Sequence, residues 1–305
     1  MECTDRYQAL GIPYRDLETM CKGQCEGTGF CPVGASDMEE PWRTLWPDAE
    51  AKEPRHRKTG WISTMKTMIF GGTYCDSEFK RELVTLWARV ARKLNPDTPI
   101  VLFDSASPFD PIMFLPKELG ITVFRYEDNI GHIGHGGGDG AGRTLYDGVK
   151  YASIHKYDYA VYWETDCLFA RPIREVMDKF YLIFAKVACL PLHNYQFFEW
   201  AFAVFEIPWA VKMMERYDWQ SKRGPYPQVV RPSLLKKFIP EWRLQEAAGD
   251  ELWILPYTGI RNDDNRVNFM NLHEMAPYQP PGWIHMGSDI RLFHRFLELN
   301  EICLP

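Results

Sequence analysis

The segment Tyr159-Ala-Val-Tyr-Trp-Glu-Thr-Asp166 decides the fold class, because an aromatic and apolar run ends there in two carboxylates. A helical pattern that begins at Gly142 leads into this run. An apolar run preceded by such a helix is typical of a buried strand in a largely parallel sheet. Ligand sites in these sheets lie at the carboxyl ends of the strands. Glu164 and Asp166 are therefore expected at a ligand-binding edge.

The chain before this segment alternates strands and helices in the same way. Apolar strands are predicted at 68–70, 100–103 and 121–126, separated by helical patterns. The first helix follows Asp76 or Ser77 and stops at Asn95-Pro96, and a shorter helix is predicted over Pro108–Leu119. We therefore expect an α/β protein, a Rossmann-type sandwich with a mostly parallel central sheet.

The composition limits the class of protein. With 305 residues, of which 46% are hydrophobic, the chain can bury the core of one sizeable domain. Its net charge of -6 argues against a broad electrostatic grip on nucleic acid. The most apolar stretches, 181–192 and 200–211, contain charged residues and fall short of the roughly 20 residues that span a bilayer. Because the first residues lack the apolar core of a signal peptide, we expect no transmembrane segment, a cytoplasmic location and reduced cysteines.

Residues 1–60 are interpreted as a Cys/Gly-rich appendage and linker, and residues 61–305 as the main domain. The segment Cys21–Gly29 resembles one half of a DnaJ-type zinc knuckle, although three residues instead of two separate its cysteines. Paired thiolates are typical ligands of a structural zinc ion, so the appendage is a candidate zinc site, with a degenerate knuckle or an ordinary loop as the alternative. The candidate ligands are Cys21, Cys25 and Cys31, with Cys3 as a fourth.

The segment from Gly142 to Phe169 resembles the core of the GT-A glycosyltransferases. In that family a helix that opens with a small residue and an arginine leads to an apolar strand, which ends in an Asp-X-Asp motif. Here the motif is the variant Glu164-Thr165-Asp166, and the resemblance extends over roughly residues 66–293. It implies a nucleotide-sugar donor and a divalent cation, Mn2+ or Mg2+, that Glu164 and Asp166 hold against the donor diphosphate. Asp166 is then the carboxylate on which catalysis depends.

The residue types agree with this chemistry. Carboxylates bind hard divalent cations, and such a cation neutralises the charge that develops on a departing diphosphate. Because side chains alternate along an extended chain, we expect Glu164 and Asp166 to point to the same side. A solvated turn at the end of a strand is the alternative interpretation of the acidic pair.

The resemblance also assigns a third metal ligand and an acceptor carboxylate. The segment Trp283–Gly287 resembles the region from which a late histidine returns to the cation, so His285 is a candidate ligand; a core histidine is the alternative. The segment Gly249–Trp253 resembles an acidic helix start. Asp250 or Glu251 would there position or deprotonate the acceptor hydroxyl, with a simple helix cap as the alternative.

Further segments resemble the parts of the family that bind the donor and the acceptor. Arg143 occupies the place where a cation meets the diphosphate, and a surface charge is its alternative role. The segments Trp200–Glu206 and Pro208–Val211 resemble the strand and helix that wall the acceptor site. The positions that bind the nucleoside correspond to Gly72, Thr73, Tyr74 and Asp104.

Two other classes of protein stay open at this point. The run Gly136–Ala141 meets a loose G-x-G-x-x-A pattern with Glu164 downstream, as in an NAD(P)-binding Rossmann enzyme, although Glu127–His135 separates it from the preceding strand. A non-catalytic glycan-binding or assembly protein would use the aromatic surface without turnover. The sequence leaves open the sugar, the stereochemistry and the acceptor, which is a glycan, a lipid-linked glycan, a protein or a modified nucleic acid.

Overall fold

The architecture comes from a computed structural model of the full chain. It describes residues 65–129, 131, 140–192, 197–214, 251–257, 259–262, 272, 281–285 and 287–304. The predicted appendage, with Cys3, Cys21, Cys25 and Cys31, lies outside the described residues, as does Asp250. The zinc site therefore stays a prediction.

The first half of the chain forms the predicted strand and helix units. Strand β1 (Thr67–Thr73) leads to helix α1 (Glu78–Leu94), and β2 (Ile100–Asp104) and β3 (Ile121–Arg125) follow. The hydroxyl of Ser77 accepts a hydrogen bond from the Lys80 amide at 3.3 Å and caps the amino end of α1. The cap and the positions of the three strands agree with the sequence prediction, but β1 is longer than the predicted 68–70 and continues through the two glycines to Thr73.

The prediction of one continuous helix over Pro108–Leu119 is wrong. The structure has a single helical turn, α2 (Pro111–Phe114), and a separate 3-10 turn at Lys117–Leu119. Pro116 lies between them. Because proline disfavours the helical conformation in the residue before it and lacks an amide hydrogen, the helix ends at Phe114.

The second half builds the strands that carry the acidic segment. Helix α3 (Gly140–Ile154) begins two residues before its predicted start, and β4 (Tyr159–Trp163) matches its predicted bounds. The remaining described elements are β5 (Cys167–Phe169), α4 (Ile173–Leu182), β6 (Val187–Leu192), β7 (Phe197–Glu206), α5 (Ile207–Met214), β8 (Leu252–Ile254), β9 (Gly259–Arg261), β10 (Trp283–His285) and α6 (Ile290–Leu299).

The main sheet has seven strands in the order β3-β2-β1-β4-β7-β6-β8, and a second sheet has the order β5-β10-β9. Strands β1 to β4 are mutually parallel, β7 runs antiparallel to both β4 and β6, and β8 is parallel to β6. The sheet is therefore mostly parallel, as predicted, with one reversed strand in its interior. The carboxyl ends of β1, β2, β3 and β4 share one edge.

Each face of the main sheet is covered by a different helix. On one face, α1 places Trp87 edge-on against Trp163, with ring centroids 6.1 Å apart. On the other face, α3 packs against β1, and Phe70 contacts Tyr162 with ring centroids 5.5 Å apart. Gly148 allows this close approach, because a Cβ there would lie 2.1 Å from the Phe70 ring. The fully buried β4 is thus fixed from both sides.

No helix in the described part of the chain is long and apolar enough to cross a membrane.

The contact between Gly148 and Phe70 gives a stability prediction with a definite sign. Alanine normally stabilises a helix interior by up to about 1 kcal/mol relative to glycine. Gly148→Ala is expected instead to lower the free energy of unfolding by about 1–3 kcal/mol, because the new methyl group overlaps the buried Phe70 ring. Urea denaturation measures the change. Lys150→Ala, at an exposed position of the same helix, is the control and should stay within about 0.5 kcal/mol of wild type. A stabilised Gly148→Ala protein would contradict this packing.

Candidate functional site

The acidic segment leaves the main sheet through a tight turn. The Glu164 amide donates to the Ala201 carbonyl of β7 at 2.7 Å, which extends the β4–β7 pairing by one residue. The Cys167 amide then donates to the Glu164 carbonyl at 3.1 Å. The prediction that Glu164 and Asp166 lie on a continuous extended strand is therefore wrong, because a turn separates them. The turn still directs both carboxylates to one histidine.

That histidine is His285, which reaches the turn through the second sheet. Strand β5 begins directly after Asp166 and pairs antiparallel with β10, with His285 opposite Cys167. The His285 carbonyl accepts from the Asn262 amide at 2.9 Å, which holds the third strand of this sheet. A residue more than a hundred positions further along the chain is thereby fixed beside the acidic pair.

The three side chains form a cluster with the donor set of a divalent cation. His285 Nε2 lies 3.3 Å from Glu164 Oε2 and 3.4 Å from Asp166 Oδ1. One ligand atom from each residue lies within 4.8 Å of the others, so the group could hold a metal ion. Two carboxylates with one imidazole suit Mn2+. His285 is buried, Glu164 is about one quarter exposed and Asp166 about half exposed, so the cluster is open on its acidic side.

The electrostatics of Asp166 favour its ionised form. Desolvation raises the pKa of its carboxyl group, but the charge and the hydrogen bond of His285 act in the opposite direction and prevail. Lys80, in the first turn of α1, also lowers the pKa. The net pKa lies below the ordinary value, so Asp166 is a carboxylate at neutral pH and is available as an anionic ligand.

The end of β1, which belongs to the predicted nucleoside-binding segment, lies against the acidic turn. The Thr165 hydroxyl donates to the Gly72 carbonyl at 3.0 Å. Thr73 is buried, and its hydroxyl lies 3.4 Å from the Cys75 sulfur. The Tyr74 ring is about one third exposed at the same edge. Their roles in nucleoside binding stay predictions.

Asp104 lies at the same edge, but its carboxylate points into the protein. It is fully buried and accepts hydrogen bonds from the Ser107 hydroxyl and, at 3.2 Å, from the Ser107 amide. Arg125 at the end of β3 lies 3.2 Å away. Burial raises the pKa of Asp104, and the Ser107 hydrogen bonds and Arg125 only partly offset it. In this arrangement the Asp104 carboxyl group stabilises the loop after β2 through its contacts with Ser107 and Arg125.

Arg143 makes its closest observed contacts at the end of β3. Its guanidinium group stacks on the Tyr126 ring at 3.6 Å and pairs with Asp128 at 3.0 Å. The Tyr126 hydroxyl in turn donates to Asp147 at 2.8 Å. These contacts hold Arg143 beside the residues that follow β3. None of them involves the cluster of Glu164, Asp166 and His285. Its predicted contact with a diphosphate stays untested.

The predicted helix start at Asp250 and Glu251 does not continue into an α-helix, because Glu251 belongs to a 3-10 turn and Leu252–Ile254 form a strand. Glu251 is exposed and leads directly into strand β8, and its carbonyl accepts from the Lys186 amide at 2.9 Å. The strand register across β6 and β7 aligns Leu252, the first residue of β8, with Ala160 near the amino end of β4. Glu164 and Asp166 follow the opposite end of β4. The structure therefore does not bring Glu251 to the cluster.

The predicted acceptor wall is divided between the two edges. Strand β7 covers the predicted segment Trp200–Glu206, and its Ala201 carbonyl contacts the acidic turn. The predicted helix Pro208–Val211 lies within α5, which starts beside the amino end of β4 through a hydrogen bond from the Ile207 amide to the Asp158 carbonyl. Only the strand thus lies beside the cluster.

Sequence reasoning missed two polar side chains next to the acidic pair. The Tyr162 hydroxyl donates to Glu164 Oε1 at 2.9 Å, and Thr165 bonds to the end of β1. Tyr162 could have been found from the sequence, because residues two apart on a strand share a face. The Thr165 contact could not, since its partner Gly72 lies far away in the sequence.

Among known proteins, similarity to this chain is found in solved structures. No protein-family model and no curated protein sequence matches the chain. It is similar to the apo structure of the bifunctional glycosyltransferase WbbM, with 11% identity and a TM-score of 0.43 over 79% of this chain and 50% of that one. It therefore spans about half the length of that protein.

Two further solved glycosyltransferase structures show weaker similarity. S. aureus TarS 1-349 has 12% identity and a TM-score of 0.36, with 52% of each chain covered. The glycosyltransferase GlyE of Streptococcus pneumoniae TIGR4 has 12% identity and a TM-score of 0.39, over 77% of this chain and 60% of that one. At these low values, a function for this chain has to be derived from the geometry of its own site.

The raised pKa of Asp104 predicts how its charge affects stability. The folded protein keeps the Asp104 proton to higher pH than the unfolded chain, whose carboxyl groups titrate near pH 4. The stability that Asp104 contributes is therefore present below about pH 4 and is lost as the pH rises through the folded pKa. Relative to Asp104→Asn, the wild type should lose free energy of unfolding between about pH 4 and pH 7, measured by urea denaturation across this range. A relative gain would mean that the ion pair with Arg125 outweighs desolvation.

Proposed function

We propose that this chain is a metal-dependent glycosyltransferase that moves a sugar from a nucleotide-sugar donor to an acceptor hydroxyl. The observation that carries the proposal is the convergence of Glu164, Asp166 and His285 at the carboxyl edge of the mostly parallel sheet. The end of β1, where the resemblance expects the nucleoside, contacts the same turn through the Gly72 carbonyl. A dinucleotide enzyme has no need of this acid and histidine cluster.

The roles of the residues follow from their chemistry. Glu164, Asp166 and His285 would hold Mn2+ or Mg2+, which when bound neutralises the negative charge that develops on the departing diphosphate. Asp166 would contribute a full negative charge at neutral pH, and its lowered pKa keeps it ionised in more acidic solution as well. The backbone at Gly72 to Tyr74 would line the nucleoside, and Tyr74, which is about one third exposed and has Lys80 Nζ 5.5 Å from its ring centroid, would offer an aromatic surface to the base.

The chief alternative, an NAD(P)-binding enzyme, fits the topology less well. Its fingerprint requires glycines in a tight turn between a strand and the next helix. In the part of the chain that the structure describes, the strand preceding the glycines of 136–141 is β3, which ends at Arg125, so that residues 126–135 separate it from Gly136. The reversed β7 beside β4 also departs from the all-parallel order of the dinucleotide fold. A non-catalytic glycan-binding protein would bind sugar without requiring a metal.

The experiment that tests the proposal is a thermal-shift panel with the full chain. UDP-, GDP-, CMP- and dTDP-sugars are compared with NAD and NADP, each with and without Mn2+. Since a ligand of the folded state raises the melting temperature, one class of nucleotide-sugar should stabilise the protein, and more strongly with Mn2+. Stabilisation by NAD without a metal effect would overturn the proposal.

The Asp166→Asn substitution tests the mechanism. The change keeps the side-chain shape but removes one anionic ligand, so sugar transfer or donor hydrolysis at saturating Mn2+ should fall at least about a hundredfold, or roughly 3 kcal/mol. Glu164→Gln should reduce the rate less if Glu164 acts through a metal-bound water. Asp97→Asn, an exposed carboxylate in the turn before β2, is the matched control. A folded Asp166→Asn enzyme with wild-type turnover would rule out the metal-bridged mechanism.

The acceptor carboxylate is tested by a pair of substitutions. The resemblance assigns this role to Asp250 or Glu251; Glu251 lies at the start of β8, away from the cluster, and Asp250 lies outside the described residues. If one of the two carboxylates has this role, its substitution, Asp250→Asn or Glu251→Gln, is expected to reduce transfer about a hundredfold or more with nucleotide affinity nearly unchanged. Initial rates and nucleotide titrations give both quantities. Equal loss of transfer and of nucleotide affinity in Asp250→Asn would contradict an acceptor role.

A further inference from the structure

The acidic turn is held from both sides by hydroxyl groups of neighbouring residues. Tyr162 is the last but one residue of β4 and is almost completely buried, with its ring packed against Phe70. Its hydroxyl donates to Glu164 Oε1 at 2.9 Å, while the other oxygen, Glu164 Oε2, faces His285 Nε2 at 3.3 Å. The two oxygens of this carboxylate therefore have separate partners. The Glu164 side chain is restrained in rotation before any ligand arrives.

Thr165, between the two acidic residues, restrains the backbone of the turn. Its side chain is buried, and its hydroxyl donates to the Gly72 carbonyl at the end of β1. The Glu164 carbonyl accepts from Cys167, whose strand β5 is paired with β10. The turn is thus tied to the main sheet through Thr165 and to the second sheet through Cys167. A change in either attachment would move Asp166 relative to His285.

We propose that Tyr162 and Thr165 are positioning residues that keep Glu164, Asp166 and His285 in the arrangement that receives a divalent cation. This inference rests on the proposed function, since it assigns the same cluster to the cation. Metal-binding carboxylates are usually held by outer hydrogen bonds, and loss of such a bond typically costs 10- to 100-fold in metal affinity. Both residues act through their neighbours, and neither is a catalytic residue.

Conservative substitutions separate positioning from simple packing. Tyr162→Phe removes only a hydroxyl, and Thr165→Val removes a hydroxyl while keeping the branched shape. Thr165→Ser restores the donor with a smaller side chain. Tyr159→Phe is the matched control for Tyr162, because Tyr159 lies at the other end of β4 and packs against Phe180 on the opposite face.

The measurement is the affinity of the full chain for Mn2+ alone, from the electron paramagnetic resonance signal of the free ion. Tyr162→Phe and Thr165→Val should each raise the Kd at least about tenfold, while Thr165→Ser and Tyr159→Phe should stay within about threefold of wild type. Circular dichroism and urea denaturation establish that each variant is folded. Folded Tyr162→Phe and Thr165→Val proteins with wild-type affinity would overturn the inference, even if they are less stable.

Asp166→Asn separates failure of this inference from failure of the proposed function. If Asp166→Asn loses Mn2+ binding while Tyr162→Phe and Thr165→Val keep it, the cation site stands and the positioning roles are wrong. If Asp166→Asn binds Mn2+ as the wild type does, the ion lies elsewhere, and both the site and the inference fall. Absence of Mn2+ binding by the wild type would likewise overturn both.

Discussion

The close contact between β1 and β4 is the constraint on which the rest of the site depends. A Cβ at Gly71 would lie 2.3 Å from the Trp163 carbonyl oxygen, and one at Gly72 would lie 2.6 Å from the Thr144 hydroxyl. Because neither position carries a side chain, β4 and α3 can both approach the end of β1. The end of β1 and the acidic turn are neighbours for this reason, and the Thr165 hydroxyl can reach the Gly72 carbonyl.

The cluster of Glu164, Asp166 and His285 lies where the chain passes from one sheet to the other. Strand β4 belongs to the main sheet and β5 to the second sheet, and the acidic turn joins them. Each carboxylate is fixed by its own side of this junction, Glu164 by the β4–β7 pairing and Asp166 by the start of β5. Such a junction places the three side chains on rigid elements, which is the arrangement that a preformed binding site needs.

Two aspartates at this edge have opposite electrostatic environments. Asp104 is fully buried, and desolvation raises its pKa although Arg125 and Ser107 contact it. Asp166 is half exposed, and although desolvation raises its pKa, the charge and hydrogen bond of His285 lower it below the ordinary value. The Asp104 carboxyl group therefore binds Ser107 and Arg125 and stabilises the loop after β2. The Asp166 carboxylate is ionised and partly open to solvent, so it is suited to bind a ligand.

The sequence by itself determined the local elements and the chemical identity of the site. Apolar runs and a cap at Ser77 were enough to predict β1, α1, β2 and β4, because strand burial and helix capping depend on nearby residues. The resemblance to GT-A glycosyltransferases also selected Glu164, Asp166 and His285, which the structure brings together.

Only the tertiary structure decided how these residues meet and which others take part. The pairing of β5 with β10 depends on contacts between distant segments, and so do the bond from Thr165 to Gly72 and the position of Glu251 at the far edge of the sheet. The same holds for Asp104, which a sequence pattern places at the ligand edge but cannot show to be enclosed by Ser107 and Arg125. Local patterns specify which side chains a strand end offers, whereas packing between distant segments fixes where those side chains point.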